Sequence, residues 1–274
     1  MSTVLTDQQN DLRDAVSDLM AKRSPEAQVR RLMADDSGYD SGVWAELAAM
    51  GLLGLTVPEE FGGAGAGATE LAVVSEQMGR VLLCAPYLST AVLTPYLLLA
   101  LGDPAECSEA LPRIAAGELL ATVAFAEAGS ARPPERPVTS AIADGDRWSL
   151  TGEKTFVLDA TIANRFYVHA RCDSGTGIFA VERGAPGLSV APLTTVDQTR
   201  KQGRLTLADT PARLIGGVGK GTAALEHALD RAAVALIAEQ AGGAMHAMQM
   251  AADYAGVRHQ FGRAIGSFQE VKHL

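Results

Sequence analysis

Aromatic side chains are scarce in this sequence: 2 Trp, 5 Tyr and 7 Phe among 274 residues, against 47 alanines. Alanine has the best intrinsic helix propensity and lets helices approach closely, so the imbalance points to helix packed on helix. Cysteine is scarcer still. Cys84, Cys107 and Cys172 lie far apart and are odd in number. They offer neither a disulfide framework nor a zinc site, and a reducing cytoplasm is the simplest expectation. Positive charge is short too. The net charge is −9 and no run of Lys or Arg exceeds two residues. Nucleic acid is therefore not expected as a partner, since phosphate neutralisation drives such binding.

Other absences narrow the chemistry. The five histidines, His169, His227, His246, His259 and His273, form neither HxxxH nor HExxH, so no metal is expected. No GxSxG elbow is present and no cysteine sits in a nucleophile signature, which removes support for hydrolase chemistry. The N-terminus MSTVLTDQQNDLRD lacks a basic n-region and an apolar h-region, so it does not read as a secretory signal. Val81 to Gly102 carries no charge over 22 residues, long enough to cross a bilayer. Pro86 and Pro95 interrupt it, however, and buried, broken helices fit better than a membrane span.

What is present falls into three blocks. Residues 1–118 read as a helical domain. Thr6 and Gln9 form a capping-box pattern, Ser24-Pro25 reads as an N-cap with Pro at the first helical position, and Val43–Met50 is a short helix stopped by Gly51. Residues 119–216 hold short apolar runs between turn signals, with Thr151-Gly152 as a hairpin or bend, and read as a small antiparallel barrel or sandwich. From residue 217 the helical pattern resumes. Thr222–Arg258 is free of proline and is expected to form one helix of about 37 residues, near 55 Å long. RHQFGRAIG (258–266) breaks it, and Ser267 with Glu270 forms a second capping-box pattern opening a helix at Phe268. Residues 217–274 thus read as the start of a bundle that stops as its next helix begins.

Four motifs carry competing readings. LIGGVGKGT (214–222) resembles a phosphate loop, but Leu214 stands where Gly is needed and Gly221 where Ser or Thr is needed, so a loop entering a helix is expected. FGGAGAG (61–67) lacks GxGxxG spacing after a strand and reads as a tight surface turn. AEAGS (126–130) is either a strand-end turn or a place where small residues let backbone approach a flat cofactor. RHQFG (258–262) is either a helix C-terminus or a site where the Arg258 fork anchors a pyrophosphate.

Together these segments resemble the acyl-CoA dehydrogenase family, in order along the whole chain. WAELAAMGLLGLTVPEEFGGAGAG (44–67) resembles its N-terminal helical signature. GELLATVAFAEAGS (117–130) resembles the strand and turn of the flavin-facing TEPxAGSD motif, and WSLTGEKTFVLDATIANRFYVHAR (148–171) its G-x-K-x-(W/F)-I-(S/T) strand. RHQFGRAIGSFQEVKH (258–273) resembles the Rx(x)FGxxIxxFQxxxH signature most closely. The resemblance implies an α+β chain: an N-terminal helical domain, a middle antiparallel β domain and an incomplete C-terminal helical bundle. It implies FAD, an acyl-CoA substrate dehydrogenated at Cα–Cβ, and an electron-transfer flavoprotein or similar acceptor. By resemblance Phe125 and Ala126 lie along the flavin edge, Ser130 touches flavin phosphate or substrate, and Phe156, Val157 and Leu158 form the strand against the ring. Arg258, Phe261 and Gln269 match residues that reach the FAD of a neighbouring subunit, so a homo- or hetero-oligomer with a related subunit is expected.

The departures matter as much. TEPxAGSD stands here as AEAGSA, and the hydroxyl expected near the flavin is replaced by Leu158. The family's usual Glu base falls past residue 274, and its alternative place on the long helix falls near Ala232. Asp230 is nearest, two residues off and turned away, and Glu239 has no geometric case as base. The catalytic residue is left unassigned. Three readings follow: an acyl-CoA dehydrogenase-type oxidoreductase, a non-catalytic partner subunit of a heteromeric acyl-CoA dehydrogenase, and a flavin-dependent monooxygenase on the same fold.

Overall fold

The computed structural model describes residues 4–129, 132–145 and 147–273. Six helices come first: α1 (Asp7–Arg23), α2 (Glu26–Ala34), α3 (Ser41–Ala49), α4 (Ala68–Arg80), α5 (Thr94–Leu101) and α6 (Pro104–Ala115). The Thr6–Gln9 capping box forms with both of its hydrogen bonds. The Ser24-Pro25 expectation needs correction. Ser24 ends α1, and Pro25 itself occupies the N-cap of α2 with no side-chain cap bond. The charge-free run is broken as its prolines suggest. Pro86 precedes a π-helical turn, Tyr87–Leu93, which passes directly into α5 with Pro95 in its first turn. FGGAGAG folds back on the preceding chain: Ala64 and Ala66 donate to the carbonyls of Gly54 and Leu55, and a Cβ on Gly63 would sit 2.0 Å from the Val57 oxygen.

Seven strands follow: β1 (Ala121–Ala124), β2 (Ser140–Asp144), β3 (Arg147–Leu158), β4 (Arg165–Cys172), β5 (Gly175–Glu182), β6 (Leu188–Pro192) and β7 (Gln202–Ile215). Pairings β4–β2, β2–β3, β3–β7, β7–β5 and β5–β4 close a ring, with β1 added on β4 and β6 on β7. Most pairings are antiparallel. β1 runs parallel to β4, and β2 meets β4 in parallel at Ser140. Thr151-Gly152 makes no hairpin. β3 runs straight through, with a register shift there and Gly152 at φ +147° because a Cβ would lie 2.7 Å from the Thr139 Cα.

The sheet serves two cores. Phe166, Val168, Phe179, Leu150 and Leu205 fill the barrel interior, while Tyr167, Ile178 and Ile215 face the helices. That alternation is the period-2 pattern of a strand buried on both faces. An ion network pins α6 to the barrel: buried Glu106 accepts from Arg165 (3.0 Å), Arg213 and the Tyr167 hydroxyl.

The long helix is α7 (Gly221–Val257). It crosses α4 where both helices carry glycine. A Cβ on Gly242 would lie 2.0 Å from the Glu76 oxygen, and one on Gly79 2.0 Å from the Glu239 oxygen. Past this crossing α7 exposes Met245, Met248, Met250, Tyr254 and Val257. A hairpin of β8 (His259–Gln260) and β9 (Arg263–Ala264) follows, then α8 (Gln269–Lys272). The second capping box does not form. The Ser267 hydroxyl donates to the Ala264 carbonyl at 2.7 Å, and Phe268 takes the N-cap.

Candidate functional site

The end of β1 and the end of β3 are laced into one surface. Thr155 N–H donates to the Ala126 carbonyl at 3.0 Å. The Thr122 hydroxyl donates to the Leu158 carbonyl at 2.7 Å. Beneath them lies an ion pair that sequence reasoning missed. Lys154, fully buried, donates from Nζ to Glu127 Oε1 at 2.7 Å and to the Phe125 carbonyl at 3.3 Å. Glu127 also accepts from the N–H groups of Val138 (2.7 Å) and Thr139 (2.9 Å). Burial would raise the Glu127 carboxyl, but Lys154 and these N–H groups outweigh it and hold it at about 2. Burial pulls the Lys154 ammonium down to about 8, partly offset by Glu127. Both residues stand inside quoted motifs, AEAGS and EKTFVL. The available signal was a lysine at an inward position of an apolar strand.

A register shift between Lys154 and Val157 turns β3 outward. Phe156 sits there at φ +54° and 49% exposed. A bulky side chain in the left-handed region is a strained choice, and such strain clusters at functional sites. Val157 points into the barrel core, so only its backbone reaches the surface. Leu158 is half-buried two residues beyond Phe156. Phe125 is half-buried against the helical core and Ala126 is buried. The ends of β1 and β3 thus carry apolar side chains, with Phe125 and Leu158 half-buried and Phe156 exposed. Ser130 lies outside the described residues.

Asp159 closes the strand at φ +52°. Burial lifts its carboxyl to about 6, against the Ser89 hydroxyl that donates to it at 2.6 Å and the charge of Arg200. On α7, Ala232 is buried in the same core that Phe125 packs against, and Asp230 is exposed. Glu239 is engaged by Arg200 at 2.6 and 2.7 Å. No carboxylate therefore stands at Ala232.

Arg258, Phe261 and Gln269 are not brought to this face. They cluster past the end of α7, about 38 Å along the helix from Ala232 to Val257. Phe261 is 94% exposed at the tip of the β8–β9 hairpin, because Phe261 (φ +53°) and Gly262 (φ +80°) make its two-residue turn. Its ring meets Phe268 edge-on at 6.4 Å.

The chain matches family models along nearly its whole length: the acyl-CoA dehydrogenase N-terminal domain over residues 6–118, the middle domain over 122–210 and the C-terminal domain over 219–274. The chain belongs to the acyl-CoA dehydrogenase family. Membership makes it part of an oxidoreductase family that works with a flavin. Among its relatives is acyl-CoA dehydrogenase IpdE2 of Mycobacterium tuberculosis, 33% identical over 264 residues covering 96% of this chain and 68% of the relative. Acyl-CoA dehydrogenase FadE27 of the same organism is 34% identical over 280 residues, covering 99% and 71%. Among solved structures, the Tcur3481-Tcur3483 steroid ACAD G363A variant superposes with a TM-score of 0.85 at 35% identity, covering 97% of this chain and 72% of that one. The ChsE4-ChsE5 complex from Mycobacterium tuberculosis gives 0.88 at 30% identity, covering 100% and 73%. No described helix is long and apolar enough to cross a membrane.

Proposed function

We propose that this chain binds FAD and contributes to α,β-dehydrogenation of an acyl-CoA thioester, with electrons passed to an electron-transfer flavoprotein or similar acceptor. The observation that carries this reading is Phe156, held exposed by a strained bulge beside Phe125 in the family's middle domain. The residues fit a flavin: the ring would rest on Phe125, Ala126, Phe156 and Leu158, and the Lys154–Glu127 pair fixes the backbone that carries them. When bound, FAD supplies acceptance of the hydride leaving Cβ. The chain's own share is to present a dry apolar face and to orient the thioester between that face and α7. Arg258, Phe261 and Gln269 are too far along α7 to serve the same molecule, and we assign them to the flavin of a neighbouring subunit.

A second reading has an observation of its own. Leu158 stands where a hydroxyl is expected, and Ala126 and Ala131 stand where the motif has Thr and Asp, which favours a non-catalytic partner subunit whose mate supplies the missing groups. The two structural relatives above are named as steroid ACAD and as a two-component complex, which is consistent with such pairing. Anaerobic addition of butanoyl-CoA to the purified chain, followed by visible absorption, separates the readings. The chain alone is expected to leave the flavin band unchanged, and the chain with its mate to bleach it. Bleaching by the chain alone overturns the partner-subunit reading. An assembly that never binds flavin overturns both.

A further inference from the structure

The π-helical turn Tyr87–Leu93 is a rare form, and such turns gather at functional sites. Its hydroxyls fasten the helical domain to the β domain. Thr90 donates to the Ala121 carbonyl at 2.8 Å and accepts from the Ala121 N–H at 3.3 Å, at the start of β1. Thr94 donates to the Ser89 carbonyl at 2.8 Å. Ser89 donates to Asp159 Oδ2 at 2.6 Å, just past the end of β3. The Ser89 hydroxyl also lies 3.2 Å from the Pro86 carbonyl, so its one proton has two acceptors within reach. The backbone of Asp159 is fixed: its N–H donates to the Lys201 carbonyl at 2.9 Å, and its carbonyl accepts from Ile162 and Ala163, both at 3.1 Å.

Ser89 and Asp159 are both buried, and a buried carboxyl resists ionisation unless a charge answers it. The charged side chains on the elements around it are mostly spent elsewhere. Arg200, from the loop between β6 and β7, is held by Glu239 of α7. Lys201 donates to the Met33 carbonyl. Arg183, just past β5, donates to the carbonyls of Ala160, Thr161 and Ala163. The π-helical turn brings no charge, and its Tyr87 hydroxyl donates to the Leu52 carbonyl. Of these groups, Arg200 is the one whose charge favours ionised Asp159. With the proton present, Asp159 donates to Ser89 Oγ, the Ser89 proton turns to Pro86, and no charge is buried. With the proton gone, Asp159 accepts from Ser89 and buries a carboxylate whose cation is already shared with Glu239. The same two side chains thus make a cheap contact in one protonation state and a costly one in the other, which is what a switch requires.

We propose that Ser89 and Asp159 form a proton-operated joint between the helical domain and the β domain: a proton held by the pair keeps the π-helical turn seated on the end of β3, and its loss lets the two part locally. The joint belongs to the fold and does not depend on bound flavin. Hydrogen–deuterium exchange of the purified chain tests it, read by mass spectrometry at about pH 5 and about pH 7.5 and corrected for the intrinsic pH dependence of amide exchange. If opening returns the Asp159 carboxyl from about 6 to its ordinary 3.8, protection of the π-helical turn should fall roughly ten-fold between the two conditions. Asp159→Asn is expected to remove that step. Ser89→Ala and Arg200→Met are each expected to steepen it, because each takes away a group that favours the ionised form. Equal protection in the two conditions, a step that survives Asp159→Asn, or a step left unchanged by both Ser89→Ala and Arg200→Met overturns the joint.

Discussion

The face built by β1 and β3 and the tip beyond α7 are the two parts of the flavin site we propose, yet they are built in opposite ways. The first is pre-organised within the chain: a buried Lys154–Glu127 pair, backbone ties and a strained Phe156 hold it from behind. The second is a two-residue hairpin turn and a four-residue helix, with Phe261 almost fully exposed and no buried residue in α8. A surface supported from inside can act on its own molecule. The second presents its aromatic side chain outward, and we propose a neighbouring subunit as its counterpart.

The sharpest way to break this contrast is at its base. Lys154→Met leaves the Glu127 carboxylate buried and unpaired and should cost about 3–5 kcal/mol in urea unfolding. Equal stability of the variant would show that the face is not held from behind. Next, one substitution made at two points of α7 should change sign. Gly242→Ala drives a Cβ into the Glu76 carbonyl and should cost at least about 2 kcal/mol, whereas Gly256→Ala meets nothing within 4 Å and should gain up to about 1 kcal/mol in thermal unfolding. Losses at both positions would mean the far half of α7 is packed as tightly as the near half.

Titration gives a smaller, signed effect. The Asp159 carboxyl is raised from its ordinary 3.8 to about 6, so the folded state binds the extra proton and bears the cost of ionisation as pH rises through that window. Asp159→Asn should therefore stabilise by on the order of 1–3 kcal/mol at neutral pH, with the gain gone below about pH 3.8. A gain that does not vary with pH would assign it to something other than ionisation. Glu127 titrates in the opposite sense: its stability is complete above its ordinary 4.5 and is lost as pH falls toward about 2. Smallest of all, Arg258→Ala should change the stability of the isolated chain by less than about 0.5 kcal/mol, because it is an exposed side chain, while lowering flavin retention in the assembly.

The sequence made some of this legible. The 37-residue α7 is one such element, since no proline interrupts its pattern. The family signatures singled out Phe125, Phe156 and Leu158, which the fold places at the ends of β1 and β3. What escaped was set by tertiary contact. The Thr151-Gly152 turn signal became a bulge because Thr139 packs against Gly152. The capping pattern at Ser267 lost to a bond with Ala264. Lys154 and Glu127 are 27 residues apart and meet only because the chain beyond β1 is tied to the end of β3, where Thr155 N–H donates to the Ala126 carbonyl.

The central claim is that the flavin face lies in this chain and the anchors at Arg258 and Phe261 serve the next subunit. A dilution series of the flavin-loaded assembly, followed by flavin fluorescence and light scattering together, tests it most directly. If the site is divided, flavin release and subunit dissociation will follow one curve, and Arg258→Ala will move release to higher protein concentration. A dissociated subunit that keeps its flavin would contradict the account.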